Sequence, residues 1–177
     1  MDVLKEYRIP FAGLGLGKHQ FDFKVRDPFF ESFDILDYRL FDVQVEMEMK
    51  KTERMLELLF HFKGSVELRC DLTDEPFSHE IDEEAEWIVK FGPAFNNDDE
   101  EVLVLPYEAY EVDVSPFIRD IILLSIPMKR VHPGIEDGTL ESEILDKLEE
   151  LSPGERRAED ETETDPIWDK LKEIKKD

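Results

Sequence analysis

Val112-Asp-Val-Ser-Pro-Phe-Ile-Arg-Asp-Ile-Ile-Leu-Leu-Ser-Ile-Pro-Met-Lys-Arg-Val-His-Pro133 is the stretch on which the fold turns. Ser115 is suited to accept hydrogen bonds from the free amides of a first helical turn, and Pro116 has the fixed φ of a first helical position. Phe117, Ile118, Ile121, Ile122, Leu123, Leu124 and Ile126 follow, interrupted only by Arg119, Asp120 and Ser125. A helix this apolar all round is expected to be buried on most sides. Pro127 ends it, because the residue before a proline avoids helical angles. The helix is then about three turns, roughly 16 Å long, and too short to cross a bilayer. It reads as the core rod on which a sheet folds, with no chemistry of its own.

The rest of the chain supplies that sheet. His19 to Val25 and Phe41 to Lys50 alternate apolar and polar residues, the period of a strand with one buried face. Lys51 to Arg54 reads as a polar turn. Leu56, Leu58, Phe60 and Phe62 continue on a next strand, Gly64 bends the chain, and Val66, Leu68 and Cys70 make a third alternating run. Trp87 to Phe91 and Val102 to Leu105 look like two more strands. Phe29 to Phe33 fits either a short helix or a linking turn. The glycines between Tyr7 and Gly17 lack the lysine and hydroxyl residue of a phosphate loop, so they read as a softened strand or turn. Asp82 to Glu86 and Asn96 to Glu101 are acidic and turn-like, the second a mobile hairpin tip. Short strands with polar turns argue an antiparallel meander.

Beyond the apolar helix, Met128 to Gly134 is a basic, proline-punctuated exit. Thr139 to Leu151 reads as an amphipathic helix capped by Thr139, with Leu140, Ile144, Leu148 and Leu151 at helical spacing. Glu155 to Thr164 is charged without an apolar stripe and reads as disordered. Asp165 and Pro166 then start a last helix, with Ile167, Trp168, Leu171 and Ile174 as its apolar, candidate docking side chains. The expected fold is α+β: a twisted, mainly antiparallel sheet, with barrel closure left open, packed on a buried helix, with C-terminal helices at the periphery. Residues 1–152 form one domain in this reading, and residues 153–177 an acidic flexible linker and C-terminal helix.

Composition narrows the partners. There are 22 basic against 45 acidic residues among 177, a net charge of −23. Such a chain repels bare phosphate backbones and attracts cations or basic proteins. One cysteine, Cys70, forbids an intrachain disulfide, and no signal-like or membrane-spanning stretch is present, so a cytoplasmic location is expected.

Three pieces of this sequence together resemble one family. Val112 to Pro133 carries an acidic residue and then a Leu/Ile-rich helix closed by proline. Leu68-Arg-Cys-Asp-Leu-Thr-Asp-Glu-Pro-Phe77 is similar to a strand-end segment of the form Cys-x-Arg-Cys-Leu-x-x-Phe. Asp165-Pro-Ile-Trp-Asp-Lys-Leu171 resembles an Asp-Pro-Arg-(Trp)-x-x-Leu ending. The family is the bacterial YceD family, the large ribosomal RNA subunit accumulation proteins, and the ordered set runs from about Phe41 to the end. Many members carry paired cysteines of a type that suits tetrahedral zinc. Here Thr73 stands in the place of the second cysteine and Leu72 in that of the arginine, and residues 135–164 hold no cysteine. The resemblance therefore implies a member with no zinc and no other cofactor. Cys70 with His79 supplies two ligands, too few for a site, and a buried thiol is the better reading.

No catalytic constellation is visible, and the chain is not expected to be an enzyme. His19 and His61 sit in strand patterns. His132 with Lys129 and Arg130 makes a compact basic cluster, readable as an RNA or partner contact or as cations paired with the chain's own carboxylates. The resemblance implies an accessory factor in large-subunit ribosomal RNA accumulation or ribosome assembly. The charge favours action through a basic ribosomal protein or pre-ribosomal particle over direct RNA contact. The alternative is an acidic interaction module unrelated to ribosomes. The oligomeric state stays open.

Overall fold

A computed structural model describes residues 3–98, 102–140 and 142–151. The chain divides into two compact units, Met1–Leu140 and Glu141–Asp177. The first holds an open five-stranded sheet in the order β2-β3-β4-β5-β6. Its strands are β2 (Gly17–Arg26), β3 (Arg39–Lys51), β4 (Met55–Arg69), β5 (Pro76–Gly92) and β6 (Val102–Pro106). β2 to β5 form the antiparallel meander that the alternation predicts. β1 (Arg8–Ile9) pairs separately with β7 (Val112–Asp113). β2 and β6 are both edges, so the sheet does not close into a barrel.

The period-two pattern buries one face most completely on β3 and β4. Val43, Val45, Met47 and Met49 of β3 lie beside Leu56, Leu58, Phe60 and Phe62 of β4, and all eight are buried. α2 (Ser115–Leu124) covers this face at β5: Phe117 stacks on Trp87 at 4.8 Å and packs on Phe60 at 5.0 Å. The short helix α1 (Asp27–Glu31) adds Phe29 and Phe30, with Phe30 stacked on Phe41 at 3.9 Å. The Asp27 carboxylate accepts from the amides of Leu40 and Phe41, fixing α1 to the start of β3.

Several expectations need correction. The two runs either side of Gly64 are one strand, because β5 pairs with β4 along its whole length and β3 pairs on the other side across Gly64. Asp82 to Glu86 is no turn. These residues are paired with Lys63 to Leu59 inside β5, and their carboxylates reach solvent without breaking the ladder. β6 runs parallel to β5, but Asn96 pairs antiparallel with Val104 through two backbone hydrogen bonds, so the chain does double back there; residues 99–101 lie outside the described residues. Ser115 does not cap α2. The residue before the helix is Val114, and Asp113 takes the capping role two positions on: its Oδ1 accepts from the Ser115 amide (2.9 Å) and hydroxyl (2.6 Å). A carboxyl oxygen is a stronger acceptor than a hydroxyl, so the serine becomes a donor.

α2 is also not buried on most sides. Ser115, Ile118 and Ile122 are buried, Phe117, Ile121 and Leu123 are half-buried, and Leu124 is 79 % exposed. After α2 comes the single turn α3 (Pro133–Glu136). In the second unit the predicted helix starts later than Thr139: α4 spans Glu143–Leu151, its first turn received by the Ser142 carbonyl. Thr139 instead donates to Asp137 Oδ1. The expected linker and C-terminal helix, with Ile167, Trp168, Leu171 and Ile174, lie outside the described residues. Among the described residues no helix is long and apolar enough to cross a membrane.

Candidate functional site

The basic exit from α2 meets the turn between β4 and β5. That turn is tight: the amide of Cys70 donates to the Glu75 carbonyl and that of Asp74 to the Cys70 carbonyl, with Asp74 at φ 59°. The Asp71 amide donates to the Arg130 carbonyl at 2.8 Å, and the Arg130 amide returns a bond to Asp71 Oδ2 at 2.8 Å. The Arg130 guanidinium then grips Asp71 Oδ1 through Nε and Nη2 at 3.0 and 2.7 Å. Two segments 59 positions apart in sequence are thereby buckled together by a side chain that fits a carboxylate with two parallel donors. His79 on β5 contributes a second tie, its Nε2 lying 3.2 Å from the Ser125 carbonyl at the end of α2.

The buckle fixes what surrounds it. The His132 amide points at Cys70 Sγ, 3.4 Å away. The His132 ring stands edge-on to Phe77 at 5.6 Å, and its Nδ1 accepts from the Gly134 amide at 2.9 Å. That bond assigns the proton of a neutral ring to Nε2. A Cβ on Gly134 would fall 2.9 Å from His132 Nδ1, so this contact needs the glycine. Burial pushes the Cys70 thiol up, but hydrogen bonds from the Thr73 hydroxyl and from the amides of His132, Leu72 and Thr73 outweigh it and leave its pKa below the ordinary thiol value.

Zinc does not fit the donors of this turn. Thr73 offers only a hydroxyl, a poor zinc ligand beside the thiolates and imidazoles zinc prefers. His79 and His132 spend ring nitrogens on Ser125 and Gly134. Among the described residues no group of three or more His, Cys, Asp or Glu side chains converges as a metal site.

Of the basic cluster, Arg130 is held by Asp71, His132 is turned onto Phe77 and Gly134, and Lys129 is exposed without an ion pair among the described residues. Sequence spacing does not reveal two further cations. Arg39 and Arg69, from β3 and β4, line with Arg130 one cleft of about 450 Å³, together with Asp37, Tyr38 and Glu67. They meet through strand pairing: Arg39 lies opposite Glu67, one residue out of step with the rest of the ladder because β3 bulges between Arg39 and Asp42. Arg69 is itself bonded to Asp74. The cleft is therefore nearly charge-balanced.

The buckle has a pH signature. Hydrogen bonds from the Arg130 amide, then from its side chain, hold the Asp71 carboxyl below the usual carboxylate range. A carboxyl whose folded pKa is depressed stabilises the fold above its unfolded pKa and loses that contribution as pH falls through the folded value. Asp71→Asn is expected to lower the melting temperature at pH 7. The gap between variant and wild type should close in melts taken stepwise below pH 4; a gap of constant size would show that the charge is irrelevant.

Residues 58–175, about two thirds of the chain, match the family model described as Large ribosomal RNA subunit accumulation protein YceD. The matched span opens inside β4 and includes both segments joined by the buckle. No curated protein and no solved structure matches.

Proposed function

The chain belongs to the YceD family, and from that membership we propose that it is a non-catalytic accessory factor in large-subunit ribosomal RNA accumulation, working in the cytoplasm through a basic protein partner. The family match carries this reading. Two physical observations support its finer parts. The one thiol is 3 % exposed and its sulfur is already hydrogen-bonded, which suits a structural role better than nucleophilic attack. At −23, the long-range field draws in a basic protein and repels RNA, whose affinity for proteins comes largely from free Lys and Arg. The clearest cations near a cleft, Arg69 and Arg130, are already paired with Asp74 and Asp71.

The decisive measurement is the ratio of large- to small-subunit ribosomal RNA in cells depleted of the protein. It should fall, and recover when the wild-type gene is returned; an unchanged ratio sinks the proposal. In filter binding at about 0.15 M salt, purified protein should retain no ribosomal RNA, and Arg130→Ala should change nothing. Tight retention that Arg130→Ala abolishes would turn the mechanism toward direct RNA contact.

The fold is proposed to need no metal. Dialysis against EDTA should leave the melting temperature where it was, with added zinc giving no rise. A fall of several degrees, restored by zinc, would mean that ligands outside the Cys70 turn complete a site.

A further inference from the structure

We propose that the open edge of β5 takes up a basic, extended segment of the protein partner as an added strand. This rests on the proposed function and names the surface through which it works. β5 is 17 residues long, but β6 covers only its end, from Ile88 to Gly92. On its other side β4 pairs with it down to Pro76. The tie from His79 to the Ser125 carbonyl marks where the exit of α2 reaches the strand. Residues 80–87 lie between these two limits with a strand on one side only. In an antiparallel pair every second residue turns its N–H and C=O away from the neighbour. Along residues 80–87 those groups make no backbone hydrogen bond among the described residues. α2 does not shut the gap: Glu83, on the inner side of the strand with Ile81 and Ala85, is exposed. Unpaired groups in such a row are a template for another strand. At about 3.3 Å per residue the gap accepts an extended segment of roughly 26 Å.

Charge selects the occupant. Glu80, Asp82, Glu84 and Glu86 follow one another on the outer side of this strand, and all four are exposed. Asp82 meets His61 at 3.1 Å. Glu80, Glu84 and Glu86 form no ion pair among the described residues. The β5 edge of a second copy would set carboxylates opposite carboxylates, which opposes pairing. RNA has no amides with which to continue a ladder. A strand with Lys or Arg at alternate positions continues the ladder and sets a cation beside each carboxylate. The edge at β2 lacks this selectivity. Its Lys18, Lys24 and Arg26 are already paired with Glu48 and Asp42, and the Tyr7 hydroxyl donates to the Lys24 carbonyl.

The test uses the full chain, immobilised, with total protein salt-extracted from the large ribosomal subunit as the probe. The wild type should retain one or a few basic large-subunit proteins. The double variant Glu84→Lys with Glu86→Lys should weaken that retention by about tenfold or more, because two cross-strand pairs turn from attraction to repulsion. Its melting temperature should not fall. Glu53→Lys with Glu108→Lys makes the same charge change at exposed sites away from this edge and should bind as wild type. Hydrogen exchange then reads the backbone. With the retained protein bound, alternate amides within residues 80–87 should exchange about tenfold or more slowly than in the free chain. Equal weakening by the two double variants, or unchanged exchange at residues 80–87, would show that this edge is not the dock although the functional reading stands. If the wild type retains no large-subunit protein, both fail. If those amides are already slow in the free chain, the edge is filled by this chain or a second copy, and the assigned occupant falls.

Discussion

Gly64→Val should cost about 3 kcal/mol or more of folding stability, as expected for overpacking against a backbone that cannot retreat, and this is among the largest single-residue effects expected in the chain. Gly64 sits opposite Val43 where β3 crosses β4. A Cβ there would run into the Asp42 carbonyl oxygen and lie 2.6 Å from Val43 Cα. Both obstacles are backbone, held by the ladder on one side and by the Asp27–Phe41 bond just upstream. A flexible side chain could swing away; a strand paired on both sides cannot. For a chain of this size the loss corresponds to a melting temperature lower by roughly 6–12 °C. Gly13→Ala is the matched control, because a Cβ at Gly13 meets nothing within 4 Å and should leave the melt unchanged. Near-wild-type stability of Gly64→Val would mean that the close approach of β3 and β4 is not as described.

The same glycine shows where sequence reading ran out. Alternation located β2, β3 and both halves of β4, because burial on one face of a pleated strand leaves a period of two in the chain. Gly64 read as a bend because a glycine usually loosens a strand. Its actual reason, the passage of another backbone, depends on strand pairing and leaves no local mark. Asp82 to Glu86 misled for a related reason: a strand whose ladder partners are supplied by a neighbour tolerates an acidic run that its own propensity argues against. The site was half legible. The cluster Lys129, Arg130 and His132 was visible, as was the option that its cations pair internally. Its partner Asp71 and its neighbours Arg39 and Arg69 lie far away in sequence and meet it only through the β4–β5 turn and the β3 bulge. The matched family span opens at residue 58, so β2, β3 and the start of β4 come from residues outside it.

The apolar helix sets up the second large effect. Ile118→Ala should destabilise the protein by about 3 kcal/mol, the usual cost of removing most of a fully buried isoleucine and leaving a cavity. Ile118 has no exposure, and its helix is anchored at both ends, by the Val114 amide on the Tyr7 carbonyl and by His79 on Ser125. Such anchoring limits the collapse that would otherwise shrink the cavity. Leu124→Ala, six residues on in the same helix, removes a side chain already in water and should shift the melt by less than about 0.5 kcal/mol. Composition alone makes Ile118 and Leu124 equivalent, since both are aliphatic residues in one largely apolar helix. Chemical denaturation of the two variants separates them into one that holds the domain together and one whose exposure folding does not require. Equal losses would mean that α2 is enclosed on all sides, leaving no apolar face for a partner. A loss confined to Ile118→Ala leaves Leu124 kept for something other than the fold.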